Sequence, residues 1–199
     1  MSGRLEYLLY LCGLPSSSKP PVEIASTGPR MNKQDALAEI SFALQGDQGT
    51  QVASALLRWR PELLSDEQRM RLYASLRDKV LLYGLTTRPR LTDEDMPIGV
   101  IQSARCAMHE HASWKPCDTC KGKGKVPQLI EKQGVDYVRC PDCLGAGHKP
   151  WTEKAREKVM GCAEDSPMLA MAAFGAAMLH AWSAEGVSAV DRMGHETNG

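Results

Sequence analysis

Aromatic residues are scarce in this chain: two phenylalanines, four tryptophans and five tyrosines among 199 residues, or 6%. Alanine, leucine and methionine carry the apolar content instead, a balance that favours a mainly helical protein. Net charge is missing as well. Lysine and arginine total 24 and aspartate and glutamate total 24, so there is no global electrostatic case for nucleic acid, and any such case has to be local. No apolar run approaches the roughly 20 residues of a transmembrane helix, which leaves no membrane role to expect. Catalytic signatures are lacking too. G-x-S-x-G, the P-loop and H-E-x-x-H are all absent, and the histidines and carboxylates form no recognisable constellation, so an enzyme is not expected.

Cysteine, by contrast, is present seven times, and four of the seven form a pattern. Residues 117–124 read C-D-T-C-K-G-K-G and residues 140–147 read C-P-D-C-L-G-A-G. The half-site C-x-x-C-x-G-x-G therefore occurs twice, with about 19 residues between the pairs, inside the spacing that suits one zinc ion. A C-x-x-C turn sets two thiolates on one side of a tight knuckle. Two facing knuckles complete a tetrahedron at about 2.3 Å per Zn–S bond. Gly122, Gly124, Gly145 and Gly147 suit the reversal after each pair, where a Cβ would interfere. A redox disulfide or unrelated buried thiols would not need glycines repeated in matching places, so Cys117, Cys120, Cys140 and Cys143 are read as ligands of one Zn2+. Four thiolates close the site, which points to structural rather than catalytic zinc. Paired metal spacing also suits a reducing cytoplasm better than a secreted disulfide framework.

The spacer reads as a hairpin, with β-prone residues 126–130 and 135–139 around a turn-like 131–134. Pro127 marks the first strand as an edge. Alone, so small a hairpin is marginal in water, and metal binding is expected to supply most of its folding free energy. His109, His111 and His148 flank the knuckles and are lesser ligand options, since four cysteines already suffice. Cys106 reads as a small buried hydrophobe.

The sequence divides into four parts: a disordered leader over 1–31, a helical region over 32–113, the zinc hairpin over 114–150 and a second helical region over 151–199. In the leader, the short apolar run from Tyr7 lacks a convincing signal-peptide context, and residues 16–29 are rich in Ser and Pro. A chain starting at Met31 is expected to keep full stability. Beyond it, Ala36, Leu37, Ile40, Ala43 and Leu44 fall on one helical face before Gly46. Thr50 is read as the cap of a second helix. Ser65 to Gln68 form a capping box opening a third, which carries Met70, Tyr73, Leu76, Val80 and Tyr83 and stops at Gly84. Thr92 and Pro97 open a fourth, carrying Ile98, Ile101, Ala104, Arg105 and Met108. Thr152 caps a charged helix that Gly161 breaks. Ser166-Pro167 starts the last long one, expected to stop at Gly186 and to use Leu169, Ala172, Ala173, Ala176, Leu179 and Trp182 as a core stripe. Core packing outweighs a helix-turn-helix reading of this final pair.

Basic residues cluster near the hairpin. Lys121, Lys123 and Lys125 alternate with glycine on the first knuckle, placing several ammonium groups along one backbone path as phosphate contacts require. Lys154, Arg156 and Lys158 project from the first helix of the last pair and are read as the sequence-dependent contacts to nucleic acid.

The order of parts resembles the lambda-type late-gene antitermination protein Q family of bacteriophages over residues 65–193, most specifically in the two knuckles and in Arg105-Cys106 before them. The resemblance implies a protein of the bacterial cytoplasm that engages double-stranded DNA at a phage late promoter. It also implies loading onto paused bacterial RNA polymerase so that terminators are read through, with Cys117, Cys120, Cys140 and Cys143 holding a zinc needed for the fold. A rival comes from DnaJ-type co-chaperones and adaptors, whose C-x-x-C-x-G-x-G repeats bind unfolded polypeptide. Those carry four repeats and an His-Pro-Asp tripeptide, whereas this chain has two repeats and no such tripeptide.

Overall fold

The computed structural model describes Leu8 and residues 33–196, except 88–91, 93, 114, 131–133, 144–146 and 165. The order is α1 (Lys33–Gln45), α2 (Gly49–Trp59), a 3-10 turn (Pro61–Leu63), α3 (Asp66–Thr87), α4 (Met96–Ala112), β1 (Lys125–Ile130), β2 (Gly134–Arg139), α5 (Glu153–Met160) and α6 (Pro167–Glu196). The fold is mainly α, with one small antiparallel two-stranded sheet set between α4 and α5.

Several helix ends follow local chemistry. The Ser65 N–H donates to Gln68 Oε1 at 2.8 Å and the Gln68 N–H donates to Ser65 Oγ at 3.2 Å, a reciprocal capping box at the start of α3. Thr152 Oγ accepts from the Ala155 N–H at 3.3 Å to open α5, and Gly161 closes it with φ 65°. Thr50 does not cap α2. That helix begins at Gly49, two residues earlier than such a cap implies, after Gln48 with no side-chain cap.

The helices enclose one core. α6 makes its most extensive contacts with α2 and α4, and α3 packs beside them. Leu72, Leu76, Val80 and Gly84 form the buried stripe of α3, while Met70 is 62% exposed. The Tyr83 and Phe174 rings stack with centroids 4.3 Å apart, joining α3 to α6. On α4 the buried residues include Val100, Ser103, Ala104, Ala107, Glu110 and His111. Ile98 and Ile101, the large aliphatic residues of this helix, are exposed. A face carrying a serine, a glutamate and a histidine is buried in their place.

Two glycines expected to end helices lie inside them. α3 continues past Gly84 to Thr87. α6 runs unbroken through Gly186, where an added Cβ would stand 2.2 Å from the Gln51 carbonyl oxygen. Gly186 is thus a point of close approach between α6 and α2, and the helix continues beyond it to Glu196. Pro167–Val190 is also long and apolar enough to span a membrane by length and composition, contrary to the sequence expectation. Here its Leu169, Met171, Ala172, Leu179 and Trp182 are buried within the protein.

Most of the leader lies outside the described residues. Leu8 does not: it is helical, fully buried and part of the main core cluster. The leader is thus packed at this residue, where the sequence leads one to expect disorder. Burying a leucine contributes about 1.5–3 kcal/mol, so a chain starting at Met31 is expected to melt several degrees lower than the full chain, at roughly 2–4 °C per kcal/mol. Differential scanning calorimetry of the two chains checks this, and equal melting temperatures would restore the dispensable leader.

Candidate metal centre

The hairpin and its two knuckles form a small unit with its own core. Lys125 pairs with Arg139 at one end of the sheet and Ile130 with Gly134 at the other. The knuckles meet beyond the Lys125–Arg139 end and interlock by a near two-fold exchange. The Cys117 N–H donates to the Gly147 carbonyl at 2.8 Å, and the Cys140 N–H donates to the Gly124 carbonyl at 2.9 Å. Thr119 Oγ donates to Asp142 Oδ2, so the third residue of each half-site meets its counterpart. Glycine is required where the loops touch. Gly147 has φ 77°, and a Cβ there would lie 2.5 Å from the Gly122 carbonyl oxygen.

Cys117, Cys120, Cys140 and Cys143 are all buried, and their sulfurs lie within 4.8 Å of one another. Cys117 Sγ is 3.8 Å from Cys140 Sγ, and Cys120 Sγ is 3.7 Å from Cys143 Sγ. Neither separation approaches a disulfide bond of about 2.05 Å. Both fit the S···S edge of a tetrahedron built from four bonds of about 2.3 Å, which is about 3.8 Å. The Gly124 N–H donates to Cys120 Sγ and the Gly147 N–H to Cys143 Sγ, each at 3.2 Å. Such bonds orient a sulfur and stabilise its thiolate. Backbone hydrogen bonding from Cys120, with a smaller contribution from Thr119 and the neighbouring thiols, pulls the Cys117 thiol from 9.0 down to about 7 despite burial. Four such cysteines could hold one metal ion, and they leave no ligand position open for water or substrate.

The three flanking histidines are elsewhere engaged. His109 packs edge-on against Trp151, with centroids 5.2 Å apart. His111 is buried, and its Nε2–H donates to the Ser54 carbonyl at 3.0 Å. The His148 ring lies 4.9 Å from that of His180. Cys106 is 1% exposed, and burial, with Glu110 second, pushes its thiol up to about 11. It behaves as the small hydrophobe expected.

Of these contacts, that of His148 with His180 of α6 is the joint between the metal unit and the helices, and the others lie around it. Pro116 and His148 form an isolated antiparallel bridge as the chain leaves and re-enters the helical body. Arg58 of α2 donates to His180 Nδ1 at 2.9 Å, and Ser54 Oγ donates to the Leu179 carbonyl at 2.7 Å. Below the joint, Arg156 of α5 donates to both oxygens of Glu110 at 2.8 and 2.9 Å. Glu110 Oε1 also accepts from the Trp151 N–H at 2.9 Å. Ser54, Arg58, Glu110 and His180 escaped the sequence reading because nothing in their local pattern reveals partners more than 40 residues away. The one available signal was a charged residue, Glu110, falling on an apolar helix face, where a buried charge needs a partner.

The nucleic-acid candidates separate accordingly. Lys121, Lys123, Lys125, Lys154 and Lys158 are exposed. Arg156 is 7% exposed and committed to Glu110, so it turns inward instead of projecting from α5. The sequence reading missed this because α5 is otherwise polar and its buried side is a single residue.

The joint also predicts a pH response. Burial holds both His111 and His180 at about 4, below the ordinary 6.5. The unfolded chain therefore binds more protons than the folded one between these values. Stability is fully present above pH 6.5 and is lost as pH falls through that window toward 4. Urea titrations at pH 7.5 and about 5 are expected to give the lower midpoint at about 5, and His111→Gln should shrink the difference. Compared with protein-family models and with curated proteins, the chain matches none.

Proposed function

We propose that this protein is a non-enzymatic transcription antiterminator of a phage or prophage, resident in the bacterial cytoplasm. In this reading it contacts double-stranded DNA at a late promoter and acts on bacterial RNA polymerase. The observation that carries the proposal is the pair of interlocked C-x-x-C-x-G-x-G knuckles set between two helical regions, with Lys121, Lys123 and Lys125 exposed along the first knuckle. The ion is proposed to be Zn2+, held by Cys117, Cys120, Cys140 and Cys143, because four thiolates on tetrahedral edges suit it. Its contribution when bound is structural: it fixes the knuckles and with them the backbone that carries the lysines.

Exposed lysines on such a frame serve phosphate contact, which positions a protein on DNA without reading sequence. Lys154 and Lys158 on α5 remain available for a second contact. Arg156 drops out of the proposed interface because its guanidinium is already paired. The test is a terminator-readthrough assay on a matched late promoter with purified polymerase. Readthrough that depends on the chain and falls when Lys121, Lys123 and Lys125 are all changed to Gln supports the reading. A chain that gives no readthrough yet captures unfolded polypeptide would be a DnaJ-like adaptor instead.

A further inference from the structure

We propose that the outward face of the β1–β2 hairpin binds an unpaired DNA strand, an inference that rests on the nucleic-acid reading above and extends it from phosphate contact to base contact. Strand alternation sorts the side chains. Val126 faces inward and packs on the cysteine cluster, with Val138 opposite it. Lys125, Pro127, Val135, Tyr137 and Arg139 share the other face and are all exposed. Tyr137 is 61% exposed and Val135 57%. Pro127 lies directly across from Tyr137, and Lys125 directly across from Arg139.

The face thus carries one aromatic ring and exposed aliphatic residues, with two cations at its knuckle end. Asp136 lies on the opposite face, across from Gln128, and no acidic residue is among the described residues of this one. Lys121 and Lys123 continue the positive charge onto the knuckle. An aromatic ring beside a cationic backbone track is the chemistry that binds single strands, because an unstacked base offers a π-face and its phosphate a negative charge. In a duplex the bases are stacked on each other and leave Tyr137 nothing to cover it. Lys125 belongs to both the knuckle run and this face. DNA bound on the knuckle would therefore pass directly onto the hairpin where its strands part, which commits the occupant to DNA.

The test is fluorescence anisotropy of a labelled oligothymidylate of about 12 nucleotides, a length within the usual single-strand site size, titrated with the full chain at two salt concentrations. Tyr137→Ala is expected to weaken binding roughly tenfold with an unchanged salt slope, and Tyr137→Phe to stay near the parent. Changing both Lys125 and Arg139 to Gln is expected to reduce the salt slope by about 0.7 for each phosphate no longer neutralised. Tyr137 is exposed, so metal content and circular dichroism should not change in its variants. Equal affinity of Tyr137→Ala and parent would overturn the proposal. Equal or tighter binding of an oligouridylate would overturn the assignment to DNA. Binding of promoter duplex without binding of oligothymidylate defeats this inference alone, whereas loss of both together with terminator readthrough defeats the antiterminator reading beneath it.

Discussion

Replacing Cys140 by serine is expected to abolish stoichiometric metal binding and to unfold the hairpin while most helical structure survives. Each of the four cysteines supplies one corner of a closed site, and their sulfurs are buried against one another with Val126 as the only described hydrophobe packed on them. Among the described residues no second apolar cluster is at hand to hold β1 against β2 once the metal is lost. Two six-residue strands are too few for independent stability. Apparent metal-binding free energies of about 10–16 kcal/mol for structural zinc in small peptides show how much folding free energy such a site supplies. The helical core is separate from the cysteine cluster, so the damage should stay local. Metal analysis of the purified variant and hydrogen exchange of residues 117–148 provide the measurement. Full metal occupancy in Cys140→Ser would sink the four-ligand assignment. Cys106→Ser is the matched control: its thiol lies in a helix, held neutral by burial, and its loss should leave metal stoichiometry unchanged.

The metal site was legible in the sequence because its chemistry is local. Spacing within each C-x-x-C pair and glycines at fixed offsets determine a knuckle without help from distant residues, and the β-strand periodicity of the spacer placed β1 and β2 within a residue of where they lie. Helix starts were legible for the same reason wherever a side chain caps its own backbone, as Ser65 and Thr152 do. Glycine misled where tertiary packing overrode local preference. Gly84 and Gly186 read as stops, yet each sits where another helix presses close, Gly84 against Met96 and Met171, and Gly186 against the backbone of Gln51. The buried face of α4 was not legible, because it is lined in part by Ser103, Glu110 and His111, whose partners come from α6, α5 and α2. Such pairings across the chain are invisible to periodicity.

Arg156 carries the sharpest consequence of that distinction, and Arg156→Ala is expected to lower stability by about 3–5 kcal/mol. The Glu110 carboxylate is 7% exposed and accepts two hydrogen bonds from the guanidinium. Removing the guanidinium leaves Glu110 charged and buried with the Trp151 N–H at 2.9 Å as its remaining described donor. Desolvating a carboxylate without a counter-charge costs more than a surface pair gains, so the penalty comes from the charge left behind rather than from the attraction between the pair. In a chain of this size the melting temperature should fall by roughly 10 °C. The double change Glu110→Gln with Arg156→Met removes both charges together and is expected to recover a large part of the loss. An Arg156 that reads a base edge predicts a different pattern: an unchanged melting temperature and a loss of about 1–3 kcal/mol confined to cognate DNA. Thermal unfolding of the two variants, followed by DNA titration at a temperature where both are folded, separates the cases. Selective loss on cognate DNA with intact stability would return Arg156 to the interface. A fall in stability that the double change repairs assigns it to the buried pair that fastens α5 to α4, and leaves Lys154 and Lys158 as the only cations of α5 open to a nucleic acid.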